Sequence, residues 1–344
     1  MKRLLLAFLC VISLSGCGTF HTAKPDLHNV ELAQVWTTMS SAYYLGCDGT
    51  LYSPGADSDA TSYVLYQNQK KGIVANDVRF FGEMAGGGFY INTQNELLLW
   101  NKSDIPLYGY EKKDGHAVVC TDVIFAECSG RCMLFLKENG ELYLAGEFGD
   151  EEYTIKEPKL LGNGVTAADT DGTFVIWTNA DGELLSYGTA KHPIWFDQQI
   201  LKQVCAENVR ELHLERHYVA ILTDKSLWCC GEDGKLQRLG EEIKTVSCAR
   251  RTLAALESDG SVRVWGRCIG NGATQTDTAE YVILNGEIVA ENATSVMVSD
   301  STLNYVGNNG ISYVFYADGW PEFYGNATKD RCVGIGREPN SWIK

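Results

Sequence analysis

Beyond its first 17 residues the sequence has no apolar segment long enough to span a bilayer, and it has few basic residues. A spanning helix needs about 20 consecutive apolar residues. Acidic residues outnumber Lys and Arg by 44 to 29, which gives a net charge of −15. Because nucleic-acid binding needs a positive surface against the phosphates, this charge excludes nucleic acid as an expected partner and disfavours anionic partners generally.

Motifs of the common catalytic machineries are also absent. The sequence contains no Gly-x-Ser-x-Gly elbow and no His-Glu-x-x-His helix. The Gly-rich stretch 82–89 leads into a predicted strand, so it lacks the helix N-terminus that would hold phosphate. No cofactor is predicted, and the protein is not expected to be an enzyme.

The first residues have the layout of an export signal. Two basic residues precede an apolar run over residues 4–14, which is too short to cross a membrane. The tetrapeptide LSGC at 14–17 resembles the lipobox of bacterial lipoproteins. This resemblance implies a signal peptide over residues 1–16, acyl chains on Cys17 and a lipidated tether over residues 17–26. The alternative is an ordinary signal peptide in which Cys17 is incidental.

Several acyl chains on one residue bury enough methylene groups to anchor a protein stably. The expected location is therefore the bacterial cell envelope, with contact to the membrane through the lipid anchor alone. In the sorting known for some Gram-negative bacteria, Asp after the lipidated Cys retains a protein at the inner membrane. This sequence has Gly18 there, which favours the outer membrane.

An exported chain meets an oxidising compartment in many bacteria, where disulfides persist. Of twelve cysteines, Cys10 lies in the signal and Cys17 is the lipidation candidate. Cys128 and Cys132 are the candidates for a local disulfide, although both flank a predicted strand turn whose geometry can forbid closure. Zinc is the alternative for this spacing, but a second Cys or His pair is missing.

A nine-residue pattern occurs seven times. Each copy reads as a tight turn, usually Asp-Gly or Asn-Gly, followed by an alternating strand that ends on Gly or Asn. The copies are CDGTLYSPG (47–55), TQNELLLWN (93–101), ENGELYLAG (138–146), ADGELLSYG (180–188), TDKSLWCCG (223–231), SDGSVRVWG (258–266) and ADGWPEFYG (317–325).

Alignment of the copies predicts a strand on each side of the turn, each with one apolar face. The predicted turn positions are Gly49, Asn95, Gly140, Gly182, Lys225, Gly260 and Gly319. After the turn, the core column is Leu51, Leu97, Leu142, Leu184, Leu227, Val262 and Pro321. Before it, the core column is Tyr43, Phe89, Leu134, Ile176, Val219, Ala254 and Tyr313.

The copies recur every 45 residues on average, a period typical of β-propeller blades. We therefore predict an all-β, seven-bladed β-propeller over residues 27–344, with six or eight blades as alternatives. The longest step, 59 residues, contains a near-copy at 299–307. We interpret this near-copy as the opening strand of the seventh unit, since too few residues follow it for a separate blade.

The segments 214–231, 262–276 and 323–336 resemble regulator of chromosome condensation-type repeats. The copies are degenerate: His217 falls on the repeat's His, and the repeat's Trp is kept only at Trp100 and Trp265. The resemblance implies a closed ring of seven blades and surface-mediated protein binding. Functions in the family include nucleotide exchange on a small GTPase. An exported lipoprotein would not encounter such a GTPase.

The stretch ELHLERH at 211–217 places Glu211, His213, Glu215 and His217 at alternate positions, hence on one face of a strand. Such side chains can ligate a metal, which makes His213 and His217 weak candidate ligands. The preferred interpretation is that His217 is the structural His of the repeat and that the others line a solvated strand face. No metal is predicted.

Exposed aromatic residues are the candidates for partner binding, because Trp and Tyr anchor interfaces. They are Trp195 and Phe196, between the fourth and fifth units, and Trp320, after the seventh turn. Packing between blades is the alternative role for each. We predict a non-enzymatic, membrane-anchored scaffold whose propeller face binds another exported or membrane protein.

Two alternative functions stay open. One is a carbohydrate-binding or carbohydrate-cleaving propeller, which a carboxylate pair facing one cavity would support. The other is a structural subunit of an envelope assembly.

Overall fold

The computed structural model describes residues 30–37, 42–52, 73–84, 87–101, 116–149, 154–188, 203–215, 218–231, 234–249, 252–266, 286–299, 302–316 and 333–336. These residues form β-strands throughout, apart from one helical turn at 203–205 and the connections. None of the helical residues in these segments belongs to a helix long and apolar enough to cross a membrane. The predicted all-β class is confirmed.

The strands group into seven blades in chain order. Blades 1 to 3 contain β1 (Leu32–Thr37), β2 (Ala42–Gly46), β3 (Leu51–Tyr52), β4 (Ile73–Ala75); β5 (Val78–Met84), β6 (Gly87–Asn92), β7 (Leu97–Asn101), β8 (His116–Cys120); and β9 (Val123–Ser129), β10 (Cys132–Lys137), β11 (Leu142–Glu147), β12 (Thr154–Gly162). Blades 4 and 5 contain β13 (Val165–Thr170), β14 (Phe174–Asn179), β15 (Leu184–Gly188); and β16 (Val209–Glu215), β17 (Tyr218–Thr223), β18 (Ser226–Gly231), β19 (Leu236–Glu241). Blades 6 and 7 contain β20 (Ile243–Ala249), β21 (Thr252–Glu257), β22 (Val262–Gly266), β23 (Glu287–Ala290); and β24 (Ala293–Val298), β25 (Thr302–Gly307), β26 (Ile311–Tyr316), β27 (Val333–Gly336).

Each blade is one antiparallel sheet of consecutive strands, so the predicted seven-bladed propeller is confirmed. Six sheets have four strands, and the sheet of blade 4 has three among the described residues. The first strand of every blade carries a bulge at its second residue, for example between Val78 and Phe80 and between Val209 and Glu211. The bulge leaves the second residue without a partner on the neighbouring strand, and the residues after it continue in a common register.

The hydrophobic core lies between the blades. Each of the seven core clusters combines side chains from two neighbouring blades, such as Leu134 and Leu144 of blade 3 with Val175 and Trp177 of blade 4. The second strand of a blade is buried on both faces, which explains its nearly continuous apolar sequence. A blade therefore cannot bury its own surface without its neighbours.

The ring closes by packing between blade 7 and blade 1. Leu32, Val35 and Tyr44 of blade 1 form one cluster with Val306 of blade 7. Among the described residues, blades 1 and 7 share no strand, because β1–β4 and β24–β27 form separate sheets. Side-chain burial alone thus joins the two ends of the repeat array.

The predicted turn positions adopt the left-handed backbone that Gly and Asn favour. Gly49, Asn95, Gly140, Gly182 and Gly260 all have positive φ. In blade 5, where Lys225 stands, only two residues connect β17 to β18.

The seventh turn differs from the prediction. The sequence pattern put it at Gly319, which lies outside the described residues, whereas the turn between the second and third strands of blade 7 ends at Gly310, with φ +76°. The near-copy at 299–307 supplies β25, the second strand of blade 7, instead of its opening strand. The pairs Asn309-Gly310 and Asp318-Gly319 are both typical of hairpin turns. The pairing of β25 with β26 places the turn at Gly310.

A second set of left-handed residues precedes the first strand of six blades. Its members are Asp77, Asp122, Gly164, Asn208, Glu242 and Asn292. Their carbonyl groups accept a backbone N–H from the turn of the same blade, as in the 2.8 Å bond from Glu138 N to Asp122 O. The carbonyl group at the turn position accepts a backbone N–H from the next blade, as in the 3.0 Å bond from Val165 N to Gly140 O. Backbone hydrogen bonds thus link one blade to the next at the turn end of the ring.

The close contact between Gly140 and Gly164 generates a stability prediction. Both residues have positive φ, but a Cβ on Gly140 would lie 3.2 Å from the Cα and N of Gly164, whereas a Cβ on Gly164 would meet nothing within 4 Å. We expect Gly164→Ala to cost about 1 kcal/mol of unfolding free energy for the left-handed backbone. Gly140→Ala should cost about 1 kcal/mol more, because it also crowds the next blade.

Urea unfolding of the two variants measures this difference, and Gly164→Ala serves as the matched control for backbone strain. Equal losses in the two variants would mean that the approach of the turn to the next blade does not limit stability.

Candidate functional site: the central channel

The first strands of the seven blades line a central channel of about 1170 Å³. Strand pairing places their inward side chains in two rings. The upper ring consists of Trp36, Gly82, Glu127, Asp169, His213, Ser247 and Met297. The lower ring consists of Gln34, Phe80, Phe125, Ala167, Glu211, Thr245 and Ser295.

One side of the channel is aromatic. Trp36, Phe80 and Phe125 are half-buried there, and the Phe80 and Phe125 ring centroids lie 6.4 Å apart. Phe89 also reaches the channel, because Gly82 in front of it has no side chain; a Cβ on Gly82 would collide with the Phe89 ring. Blades 1 to 3 thus contribute these four aromatic side chains to the channel.

The other side of the channel is polar. Glu127, Asp169 and His213 occupy the same ring position in blades 3, 4 and 5, and Glu211 lies below His213. The His213 Nε2 and Glu211 Oε2 atoms are 3.3 Å apart, and each of these side chains keeps 25% of its surface exposed. Of the four residues predicted to share a strand face, Glu211, His213 and Glu215 stand at alternate positions of β16 and line the channel, while His217 lies outside the described residues.

Polar side chains of the channel also join successive blades. Asp169 of blade 4 accepts the backbone N–H of Leu214 of blade 5 at 2.5 Å. Glu211 of blade 5 accepts the N–H of Val246 of blade 6 at 3.0 Å. The Ser247 hydroxyl of blade 6 accepts the N–H of Val298 of blade 7 at 2.9 Å. The same device therefore bridges three consecutive blade boundaries.

Glu127 of blade 3 lacks this bridge. The corresponding N–H in blade 4 belongs to Thr170, and Asp169 already accepts it at 2.7 Å. The Glu127 carboxylate accepts the N–H of its own neighbour Cys128. Glu127 thus differs from Asp169 and Glu211, because no hydrogen bond from the following blade reaches its carboxylate among the described residues.

Burial shifts the pKa values of these groups. Burial raises the pKa of Glu127 to about 7, and the nearby His213 offsets only part of that rise. Burial and the charge of Glu127 raise the pKa of Asp169 well above its usual range. Burial lowers the pKa of His213, but the hydrogen bond and charge of Glu211, with Asp169 and Glu127, outweigh it and raise that pKa overall. Burial opposes ionisation of Glu211, yet His213 and the Val246 N–H hold its pKa below its usual value.

Of the metal and disulfide candidates, the structure describes His213, Cys128 and Cys132. No group of three His, Cys, Asp or Glu side chains in the described part of the chain is arranged to hold a metal ion. Cys128 and Cys132 are free thiols. Cys132 pairs with Ser129 and Cys128 with Met133, so the two thiols point to opposite faces of blade 3 and pack in different core clusters. This register keeps the predicted local pair apart.

The remaining sequence candidates cannot be placed. Cys17, Trp195, Phe196, His217 and Trp320 lie outside the described residues. Their predicted roles stay predictions.

Sequence analysis did not single out Glu127 or Asp169. A signal for them exists: in blades 2 to 7 the upper-ring residue stands five positions after the left-handed residue that precedes its strand, as Glu127 follows Asp122 and Asp169 follows Gly164. Alignment of the chain on the Asp-Val, Gly-Val, Asn-Val and Glu-Ile pairs at the strand starts would have placed these acids in the same column as His213.

Comparison with known proteins supports the propeller fold. No protein-family model and no curated protein sequence matches the chain. Yeast RCC1 (Prp20), in a crystal structure with Kap60, is 14% identical over 76% of this chain and 72% of its own, with a TM-score of 0.53. A structure of Prp20p from Saccharomyces cerevisiae is 14% identical over 89% of this chain and 83% of its own, with a TM-score of 0.54. Human WBSCR16 is 15% identical over 78% of this chain and 85% of its own, with a TM-score of 0.57. At these identities the similarity establishes the fold alone, a β-propeller.

The pKa shifts in the channel generate a prediction about pH. Glu127 takes up its proton near pH 7 in the folded protein and near 4.5 when unfolded, so the folded state binds more protons between these values. The raised pKa values of Asp169 and His213 act in the same direction. The free energy of unfolding should therefore fall as pH rises from about 5 to 8.

Glu127→Gln should flatten this slope and make the protein more stable than the wild type at the alkaline end. Urea unfolding across the pH range measures the slope of the unfolding free energy against pH. Glu157→Gln, on the exposed outer strand of blade 3, is the charge-matched control. An identical slope in Glu127→Gln and wild type would contradict the assignment.

Proposed function

We propose that this protein is an exported, lipid-anchored β-propeller that binds another exported or membrane protein through a face of the ring, without catalysing a reaction itself. The observation that carries the proposal is the ring of seven blades packed on one another. Such a ring holds the connections between strands on a rigid frame at its two ends. Binding residues in proteins concentrate on connections that a rigid scaffold positions.

Similar folds that bind proteins support this function. Yeast RCC1 (Prp20) has been crystallised with Kap60, and the Prp20p structure is described with its binding to Gsp1p and histones. The partner of this chain is expected to be a different one, since its first residues are predicted to form an export signal. The net charge of −15 favours a partner surface that is not anionic.

Lipid attachment at Cys17 would hold the ring at the membrane, with the outer membrane favoured by Gly18. Cys17→Ser should move the protein from the membrane fraction to the soluble envelope fraction, because the acyl chains supply the anchoring energy. Mass spectrometry of the N-terminal peptide measures the acylation directly. Cys10→Ser, within the signal, is the control and should leave fractionation unchanged. A membrane-bound Cys17→Ser protein would count against the anchor.

The aromatic residues Trp195, Phe196 and Trp320 are the proposed contacts of the partner. We expect Trp195→Ala combined with Trp320→Ala to abolish capture of envelope proteins by the delipidated protein, since aromatic anchors dominate interface energies. Pull-down followed by mass spectrometry measures the capture. Leu160→Ala, at a 45% exposed residue on the outer strand of blade 3, is the control and should retain it. Undiminished capture by the double variant would refute this interface.

A carbohydrate-binding or carbohydrate-cleaving propeller is the second candidate. It is favoured by Glu127 and Glu211, which face one cavity beside aromatic side chains. The pKa of Glu127 is raised to about 7 and that of Glu211 is lowered, which is the division between acid and ionised carboxylate that glycoside cleavage uses. Binding of a neutral oligosaccharide in the channel would support this candidate.

A further inference from the structure

We propose that the central channel binds an organic cation, an ammonium or guanidinium group on an apolar body, with Glu127 as its counter-ion and Trp36, Phe80 and Phe125 as its apolar wall. This inference goes beyond the proposed function, because it concerns the axis of the ring and does not depend on a partner at the loops.

The charge of the channel selects a cation. The acidic side chains among its described lining residues are Glu83, Glu127, Asp169, Asp171, Glu211 and Glu215. Against these six stand His213 and Arg210. The Arg210 guanidinium donates to the backbone carbonyls of Lys244 at 2.7 Å and Ile243 at 3.3 Å, so it is committed to the blade boundary. This excess of acidic over basic side chains favours a cation over an anion as the ligand.

Glu127 is the carboxylate available to that cation. Asp169 and Glu211 are held by backbone N–H groups of the following blade, whereas Glu127 receives no such bond among the described residues. Burial disfavours the charged form of a carboxylate, and His213 offsets only part of that cost for Glu127. The raised pKa of Glu127, about 7, reflects that cost, which a bound ammonium or guanidinium would relieve.

The aromatic wall suits the apolar part of the ligand. Trp36 and Phe125 lie on the same two rings as the acids, so an apolar body can contact aromatic faces while its charge reaches Glu127. Aromatic faces also attract cations directly. A volume of about 1170 Å³ is close to that of small-molecule sites and also admits a side chain from another protein.

The chemistry has two sources, a free amine or a Lys or Arg side chain of an inserted peptide. Isothermal titration calorimetry on the purified whole chain distinguishes them. The probes are 2-phenylethylammonium, and capped tripeptides with a central Arg or Lys. The neutral controls are 2-phenylethanol, the same tripeptide with a central Gln, and a glucose trisaccharide.

We expect at least one cationic probe to bind and its neutral counterpart to bind at least roughly tenfold more weakly, the effect of one charged hydrogen bond. Glu127→Gln should weaken the cation by a similar factor, while the charge-matched Glu157→Gln should not. Binding of the free amine would indicate a small-molecule ligand, and binding of the tripeptides alone would indicate a side chain of a protein partner.

Three results would overturn the proposal: no binding of any cationic probe, equal binding of cation and neutral analogue, or equal affinity in Glu127→Gln and Glu157→Gln. Preferential binding of the trisaccharide would overturn it in favour of a carbohydrate ligand. If Glu127→Gln does not fold, as judged by its thermal unfolding, Phe125→Leu provides the second test. That variant keeps every charge and should weaken the phenyl-bearing cation, and an unchanged affinity would remove the aromatic wall from the site.

Discussion

Burial of sheet faces between neighbouring blades is the constraint on which the rest of this structure depends. Every core cluster draws on two adjacent blades, so each blade is stable only between its neighbours. The contact of blades 1 and 7 obeys the same rule, since Val306 packs against Leu32, Val35 and Tyr44 across separate sheets. Removal of any one blade would expose two buried sheet faces, so the stability of the ring depends on its closure.

The channel follows from this closure. The first strand of each blade pairs with a strand on one side only, so its other edge faces the axis with backbone groups that need partners. Asp169, Glu211 and Ser247 satisfy N–H groups of the following blades at this edge. The polar character of the axis is therefore first a structural requirement. Glu127 differs from these residues because Asp169 accepts the equivalent N–H group, that of Thr170, so the Glu127 carboxylate does not bridge to blade 4 in this way.

The side chains that line the channel differ in kind from blade to blade, although the backbone of the ring is regular. Blades 1 to 3 contribute Trp36, Phe80 and Phe125 to the two rings, whereas blades 3 to 5 contribute two acids and a histidine to the upper ring. Because the backbone repeats, any selectivity must come from side chains at equivalent positions. The aromatic and acidic side chains line the same cavity and adjoin in blade 3, where Phe125 and Glu127 stand two residues apart on β9. The predicted lipid anchor and the predicted aromatic contacts concern where the protein lies and what it docks to, which are separate questions from the chemistry of the axis.

The sequence by itself determined the class, the number of blades and most turn positions, because Asp-Gly turns and period-two burial are properties of neighbouring residues. It also placed Glu211, His213 and Glu215 on one strand face. Only the tertiary structure decided that this face meets Glu127 and Asp169 at an axis, since residues more than 40 positions apart become neighbours through the stacking of whole blades. Strand register likewise chose Gly310 for the seventh turn and separated Cys128 from Cys132. Local hydrogen bonding and alternation are encoded within a few residues, whereas contacts across the ring exist only once all seven interfaces have formed.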